Sequence, residues 1–343
     1  MPPFAPATSE HPPRVLLIAE IGVNHDGRLD RALELTRAAA EAGADAVKFQ
    51  WFNPGRLLSN QARLAEYQKA AADDPREMLA KLALSADDFA TLRQAAREAG
   101  VLFIVTPFSP ADVDELAPLG PDLVKIASPD AVNPLLLRGA ATLGVPMLIS
   151  TGTCEPGELA PAARLLAGHE PGGALLQCVS SYPVPDERAA VGEMLALARE
   201  FGLPVGYSDH TPSPLTGAVA VAAGAVVLEK HFTHDPAAAG PDHAASVDPA
   251  GFADYARLAR RAAAMLGPLA KSVDPIEAEV REVARQSLCA ARDLPAGHVL
   301  TPGDLTVKRP GTGIPAAKLD ETLGKRLVRA VTRGDLVQEP DLA

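Results

Sequence analysis

From Val15 to about Met265 the chain alternates short β-branched or apolar runs with longer Ala/Leu/Arg/Glu-rich runs of helical period. The short runs predict strands at Val15–Ala19, Ala46–Phe49, Leu102–Val105, Leu123–Ile126, Met147–Ile149, Ala174–Cys178, Val205–Tyr207 and Val226–Leu228. The longer runs predict helices at Arg31–Ala42, Ala86–Ala99, Leu135–Leu143, Leu159–Leu166, Met194–Phe201, Leu215–Ala223 and Phe252–Met265. The helical pattern is weakest after the third and fourth strands. Eight β/α units in roughly 250 residues is the count of a (β/α)8 TIM barrel. A doubly wound sheet is the rival, but it usually stops at about six strands, and no GxGxxG follows the first strand here.

Two stretches break the alternation. Phe52–Leu84 is a long insertion after the second strand, and its Ala/Glu/Gln/Lys content predicts a partly helical loop over the strand ends, a candidate lid. After Met265 the texture changes: Gly267–Pro275 reads as a linker, Ile276–Arg285 as a short charged helix, and Ser287–Ala343 as short strands punctuated by Gly and Pro. This tail echoes itself at a spacing of 37 residues, pairing Leu294 with Val331, Gly297 with Gly334, Val299 with Leu336, Leu300 with Val337, Asp304 with Asp341 and Leu305 with Leu342. The echo predicts two related halves of a small, pseudo-symmetric, mostly β module. The expected organisation is a disordered lead over 1–13, the barrel over 14–266, a linker over 267–285 and the β module over 286–343.

Composition narrows the class. A chain of 343 residues with 47% apolar content can bury a large core. No apolar run is long enough to span a bilayer, and the Pro-rich start lacks the basic and apolar regions of a signal peptide. Three widely spaced cysteines without a CxxC fit a reducing cytosol, so the expected location is cytoplasmic. The net charge of −11 disfavours nucleic acid and anionic membranes as partners. An anionic substrate would therefore need fixed lysines in a local site.

A barrel gathers its chemistry at the C-terminal strand ends, and here every predicted strand ends in polar residues. The first leads to Glu20, Asn24, His25 and Asp26, the second to Lys48 and Gln50, the third to Thr106, and the fourth to Lys125, Ser128 and Asp130. Ser150 and Thr151 follow the fifth and Ser180, Ser181 and Tyr182 the sixth. Ser208, Asp209 and His210 then follow the seventh, and Glu229, Lys230 and His231 the eighth. Lys48 and Lys125 sit within apolar strand ends, where a buried ammonium is costly unless paired. They are read either as ion-pair partners of Glu20 or Glu229, or as a phosphate cradle with Ser128, Ser150 and Ser208; a Schiff-base role is a third reading. His210 and His231 hold matching positions on consecutive strands and form a candidate metal pair for Mn2+, Mg2+ or Zn2+, with Glu20 as a further ligand or a general acid/base. His25 and His243 are weaker candidates, read otherwise as surface or loop-bonding residues, and Cys178 reads as core.

These segments together resemble a known family. Ile18–Gly27, Lys48-Phe49-Gln50, Lys125-Ile126-Ala127-Ser128, Ser150-Thr151-Gly152, Tyr182-Pro183, Ser208–Thr211, Glu229–Thr233 and Gly240–His243 resemble the sialic acid synthase family, in the right order. The tail, with Val307–Ile314, resembles its antifreeze-like (SAF) domain. The resemblance implies condensation of phosphoenolpyruvate with an N-acylated amino sugar, such as N-acetylmannosamine or a diacetamido-hexose, to a nine-carbon 2-keto sugar acid and phosphate. It implies Lys48, Thr106, Lys125, Ser128, Ser150 and Ser208 for phosphoenolpyruvate, and Gln50, Asp130, Tyr182 and Asp242 for the sugar. His210 and His231 would hold a divalent metal, Mn2+ before Mg2+ or Co2+, and Glu20 would handle a proton at the aldehyde oxygen. Arg309 is expected to reach the N-acyl group from a partner subunit, in a domain-swapped homodimer.

The chain departs from the family pattern at three places. Pro129-Asp130 stands where many neuraminate synthases carry Gly-Glu, Ser180-Ser181 precedes Tyr182 where many carry Thr or an amide, and Thr153-Cys154 replaces an apolar pair. The second departure resembles the legionaminic and pseudaminic branches. The other readings are a different phosphoenolpyruvate-dependent or aldolase barrel, and a silent glycan-binding protein. Against the last stands the joint presence of Glu20, both lysines and both histidines.

Overall fold

In the computed structural model, which describes residues 2–59, 61, 62 and 74–343, eight parallel strands close into a barrel. They are β1 (Leu16–Gly22), β2 (Ala46–Trp51), β3 (Leu102–Pro107), β4 (Leu123–Ile126), β5 (Met147–Ser150), β6 (Gly173–Gln177), β7 (Val205–Asp209) and β8 (Val227–His231). Closure comes from β1 pairing with β8, Leu16 opposite Val227 through Glu20 opposite His231. The helices between them are α1 (Leu29–Glu41), α2 (Pro54–Leu57), α3 (Pro75–Leu82), α4 (Ala86–Glu98), α5 (Pro110–Leu116), α6 (Pro134–Ala141), α7 (Pro156–Ala167), α8 (Glu193–Phe201), α9 (Thr216–Ala222) and α10 (Pro249–Leu266). Prolines at the first turn and side-chain caps from Asn53, Asp74, Ser85, Ser109, Asn133 and Asp248 fix where many of them begin.

Strand alternation sorts the side chains into two cores. Outward-facing Leu17, Ala19, Val47, Phe49, Val105, Val124, Ile149, Leu175 and Leu228 pack against the helices. Inward-facing Leu16, Ile18, Ala46, Ile104, Leu123, Leu148, Ala174, Leu176 and Val227 fill the barrel. Phe4 joins that interior cluster at 2% exposure, and residues Ala5 and Arg14 exchange backbone hydrogen bonds of 3.0 and 2.9 Å. The lead expected to be disordered is instead a short fold-back that plugs the barrel. One aromatic side chain outweighed the Pro-rich composition, because the barrel leaves an apolar opening that only a non-local residue can fill.

The described parts of the insertion form α2 and α3, whose Leu57, Met78, Leu79 and Leu82 cluster with Val23, Phe52 and Phe108. Residues 63–73 of the candidate lid lie outside the described residues.

The chain divides into a unit ending at Ala270 and a second over Lys271–Ala343. In the second, α11 (Ala278–Ala284) precedes β9 (Ser287–Ala290), which pairs antiparallel with β10 (Leu305–Lys308); α12 (Leu319–Thr322) follows. The 37-residue echo is physical. Leu294 and Val331 pair with each other across the repeat through hydrogen bonds of 2.8 and 2.9 Å. Gly297 and Gly334 both take positive φ, 82° and 95°. Asp304 and Asp341 are both buried, each caps its own 3-10 turn, and each pairs with an arginine, Arg292 and Arg329 respectively. Backbone bonds exchange the same way: Gly297 donates to Leu327, and Gly334 to Ala290.

Candidate active site

The strands continue past their apolar runs, and the same alternation that builds the barrel core carries polar side chains to its mouth. On β1 the inward series Leu16, Ile18 ends in Glu20; on β2 Ala46 is followed by Lys48 and Gln50; on β8 Val227 is followed by Glu229 and His231. Glu20, Lys48, Gln50, Thr106, Lys125, Ser128, Asp130, Ser150, Tyr182, Ser208, His210, His231 and Asp242 line one cavity of about 490 Å3. Glu229 and Ser180 line it with them. Arg309 lies in the second unit, where its side chain is exposed.

The opposite faces of the same strands do different work. Asp209 and Lys230, one residue from Ser208 and His231, are fully buried outside the cavity and pair at 3.0 Å, with Lys230 also donating to the Thr211 carbonyl and lying over the Tyr255 ring. They anchor β7 and β8 to the helical layer. His25 is buried beside Phe49 and accepts from the Gly27 amide, and burial pushes its pKa down to about 4. His243 is fully buried between Thr233 and Asp26, tying the loop after β8 to the loop after β1. Neither faces the cavity. Cys178 is buried as expected, but its Sγ lies 3.0 Å from the Ser128 hydroxyl and so supports a cavity residue.

Four charges form the floor. Lys48 Nζ sits 2.8 Å from Glu20 Oε2 and 3.9 Å from Glu229 Oε2, and it donates to Thr106 at 3.2 Å. Lys125 Nζ lies 3.6 Å from Glu229 Oε1, which also accepts from Ser208 at 2.9 Å. The ion-pair and cradle readings of the lysines are thus compatible, since both pairs sit inside the cavity. Burial works against every one of these charges. For Glu229 the opposing pull of Lys125 and Lys48 wins, and its pKa falls to about 2. Lys48 is likewise held protonated, against burial, by Glu20 and Glu229. Burial lowers Lys125, and it raises Glu20 against the pull of Lys48, with the Glu229 charge adding to the rise. Asp242 is pushed up to about 7 by burial and then by the Glu20 charge. Burial also raises Asp130.

The histidines meet above this floor. Their ring centroids are 5.4 Å apart, and the Tyr182 ring lies tilted over His210 at 4.2 Å and meets His231 edge to face at 5.6 Å. His210 Nδ1 donates to the Val179 carbonyl at 2.7 Å, which fixes the ring and leaves Nε2 with the lone pair. His231 Nδ1 is buried without a hydrogen-bond partner. Burial lowers the pKa of both rings, and the neighbouring His210 lowers His231 further. Both imidazoles are therefore neutral, the form that ligates a metal. Among the described residues no group of three or more His, Cys, Asp or Glu is arranged to hold an ion. The pair fits a cation that takes its remaining ligands from substrate and water.

Glu229 is the cavity residue that residue types alone pass over, reading only as an ion-pair partner for the lysines. The missed signal is the period of two, which puts 229 on the face of His231 and 208 on the face of His210.

Fold and cavity together define a barrel enzyme whose mouth holds buried lysine–glutamate pairs beside a pair of imidazoles. The chain belongs to the NeuB family, phosphoenolpyruvate-dependent condensing enzymes: the family model matches residues 35–271, and a SAF domain model matches 285–343. It is 39% identical over 326 residues to the N,N'-diacetyllegionaminic acid synthase of Legionella pneumophila, covering 93% of this chain and 92% of that one. It is 32% identical to the N-acetylneuraminate-9-phosphate synthase of Mus musculus, covering 96% and 92%. Among solved structures it is similar to the N-acetylneuraminic acid synthetase of Leptospira borgpetersenii, with a TM-score of 0.72 and 29% identity over 80% of this chain and 96% of that chain.

Proposed function

We propose that this enzyme condenses phosphoenolpyruvate with the open aldehyde form of an N-acylated amino sugar, giving a nine-carbon 2-keto sugar acid and phosphate. The observation that carries this is the meeting, in one cavity, of two buried lysines and a ring of hydroxyls with a neutral imidazole pair. In this reading Lys48, Thr106, Lys125, Ser128, Ser150 and Ser208 bind phosphoenolpyruvate; the Ser150 hydroxyl is buried with no partner of its own, a donor waiting for an acceptor. Carbon 3 attacks the aldehyde carbon and forms the C–C bond. Water adds at carbon 2, and phosphate leaves with its C–O bond broken. Glu20 handles the proton at the aldehyde oxygen, within reach of Gln50, which donates to it at 3.1 Å. Gln50, Asp130, Tyr182 and Asp242 contact the sugar. When bound to His210 and His231, a divalent ion, Mn2+ before Mg2+ or Co2+, would polarise the aldehyde as a Lewis acid.

The relatives named as N,N'-diacetyllegionaminic acid synthases, at 39% and 36% identity, favour a diacetamido-hexose over N-acetylmannosamine. The working unit in this proposal is a homodimer in which Arg309 of one subunit serves the sugar site of the other. The proposed location is cytoplasmic; no helix among the described residues is long and apolar enough to cross a membrane. Incubating the protein with phosphoenolpyruvate, Mn2+ and a panel of 2-acylamino sugars should release phosphate and yield a keto acid with the mass of the sugar plus pyruvic acid. A well-folded protein that releases no phosphate with any sugar on the panel would end this reading.

A further inference from the structure

The serine hydroxyls of the cavity are framed in different ways. Ser208 donates to Glu229, and Ser150 has no partner. Ser128, just beyond β4, is held by the turns that follow β5 and β6. Its Oγ accepts from the Gly152 amide at 3.1 Å and lies 3.0 Å from Cys178 Sγ. Cys154 Sγ, 3.5 Å from the Ser128 carbonyl and 3.5 Å from the Gly152 carbonyl, ties the two backbones together. The close approach depends on Gly152 having no side chain: a Cβ there would lie 2.7 Å from Cys178 Sγ and 3.0 Å from Ser128 Oγ. Ser128 and Cys178 are both buried, so each must find its hydrogen-bond partners in the protein or in a ligand of the cavity. A seryl oxygen has one hydrogen to give and room to accept two. The Gly152 amide takes one acceptor position. With the thiol donating to the other, the Ser128 hydrogen is left to point into the cavity. With the thiol accepting that hydrogen instead, the hydroxyl has nothing to give a ligand. Sulfur is a weak acceptor and an oxyanion a strong one, so an oxyanion in the cavity draws the hydroxyl hydrogen to itself and leaves the thiol as donor.

We propose that Cys178 is a positioning residue for Ser128: its S–H, together with the Gly152 N–H, fills the acceptor sites of Ser128 Oγ and makes the hydroxyl a donor aimed at an oxyanion of the substrate. The inference rests on the synthase reading, in which that oxyanion belongs to phosphoenolpyruvate. It gives a task to a side chain outside the cavity lining whose type and burial resemble those of a core residue.

The test measures the Kd for phosphoenolpyruvate by calorimetry with Mn2+ present, and the KM for phosphoenolpyruvate and for the best sugar of the panel in turnover. Cys178→Ala is expected to raise the Kd and KM for phosphoenolpyruvate about fivefold, the scale of one hydrogen bond, while the KM for the sugar stays within about twofold. Cys178→Ser keeps a donor at that position and should bring both values back to within about twofold of wild type. A thiol that only packed would be replaced at least as well by alanine as by serine, since a buried hydroxyl with no bond to make is the costlier substitute. In the Ser128→Ala protein there is no hydroxyl to direct, so adding Cys178→Ala should change the Kd by less than about twofold. Circular dichroism and thermal midpoints establish that each variant folds, and if Cys178→Ala does not, Cys178→Val supplies the side chain without a donor. Alanine binding as tightly as wild type, serine binding no better than alanine, or an undiminished effect of Cys178→Ala in the Ser128→Ala protein overturns the inference and leaves the synthase reading standing. A folded wild type that neither binds phosphoenolpyruvate nor releases phosphate with any sugar on the panel overturns both.

Discussion

The charged floor shows how much of a site is residue type and how much is pairing. Glu20, both lysines and both histidines were legible as candidates because ionisable groups inside apolar strand ends are out of place unless they are paired or do chemistry. Their partnerships were not legible, since they depend on which strand ends converge. Lys125 and Glu229 are both buried, so removing Lys125 leaves Glu229 with only the longer 3.9 Å pair to Lys48. Lys125→Met is expected to cost on the order of 3 kcal/mol of stability, read from the shift in urea midpoint. In the fraction that folds, the KM for phosphoenolpyruvate should rise at least about tenfold. Asp242 makes a prediction of opposite sign. Its folded pKa, about 7, lies above the ordinary carboxyl value of 3.8, so the folded state holds a proton that the unfolded state has lost. The buried carboxyl costs nothing below pH 3.8, and its burden grows as pH rises towards 7 and is full above it. Asp242→Asn should therefore stabilise the protein at pH 8 by up to about 4 kcal/mol, with the gain fading as pH falls towards 4. Thermal midpoints of both proteins across that range check the slope. A constant difference would mean that Asp242 does not carry the buried proton.

Strands and helices were legible where the period was strong and misread where it was interrupted. A parallel strand buried on both faces reads as a continuous apolar run, so polar inward residues at its end look like loop. That is why β1, predicted to stop at Ala19, runs to Gly22, and why β8, predicted to stop at Leu228, runs to His231. The helix after β3 was faint because α5 has only 7 residues. The fold-back of Phe4 had no local signal at all, since its reason is an opening made by eight distant strands. The β7–β8 seam owes its close approach to one small residue. A Cβ on Gly206 would lie 2.5 Å from the Val227 carbonyl and 2.9 Å from the Val227 side chain. Both are backbone or stiff, so the strands themselves must separate. Gly206→Ala is expected to destabilise by roughly 1–3 kcal/mol and to loosen the β7–β8 pairing that carries Ser208 and His210. Hydrogen exchange should show faster amides on those two strands and little change on β3 and β4. Uniform protection across the barrel would show that the seam absorbs the methyl.

At the scale of the whole molecule, the two units pose a question that neither answers alone. The barrel gathers all of the expected sugar and phosphoenolpyruvate residues except Arg309, which stands exposed on the β module beside a fully buried, internally repeated scaffold. An arginine on a module of its own is of use to the sugar only if some barrel, its own or a partner's, receives it. The start of the second unit also carries an apolar stripe, with Ile276 85%, Val280 62% and Val283 56% exposed at helical spacing. In the proposed homodimer this stripe is the expected contact between chains. Cis and trans delivery separate in a mixing experiment. Glu20→Gln should silence a barrel, and Arg309→Ala should silence whichever barrel that arginine serves, so each homodimer alone should be close to inactive. If Arg309 acts in trans, a mixed dimer has one intact barrel, that of the Arg309→Ala chain, served by the arginine of the Glu20→Gln chain. Random pairing makes half of the dimers mixed with one working site in two, so co-expressed chains should recover about a quarter of wild-type turnover. If Arg309 acts in cis, the mixed dimer has no intact site and turnover stays at the level of the separate variants. Carrying Ile276→Glu and Val280→Glu in both chains should abolish any such recovery, together with the dimer peak in sedimentation velocity. Recovery that survived the loss of the dimer would exclude this stripe as the contact that brings the two chains together.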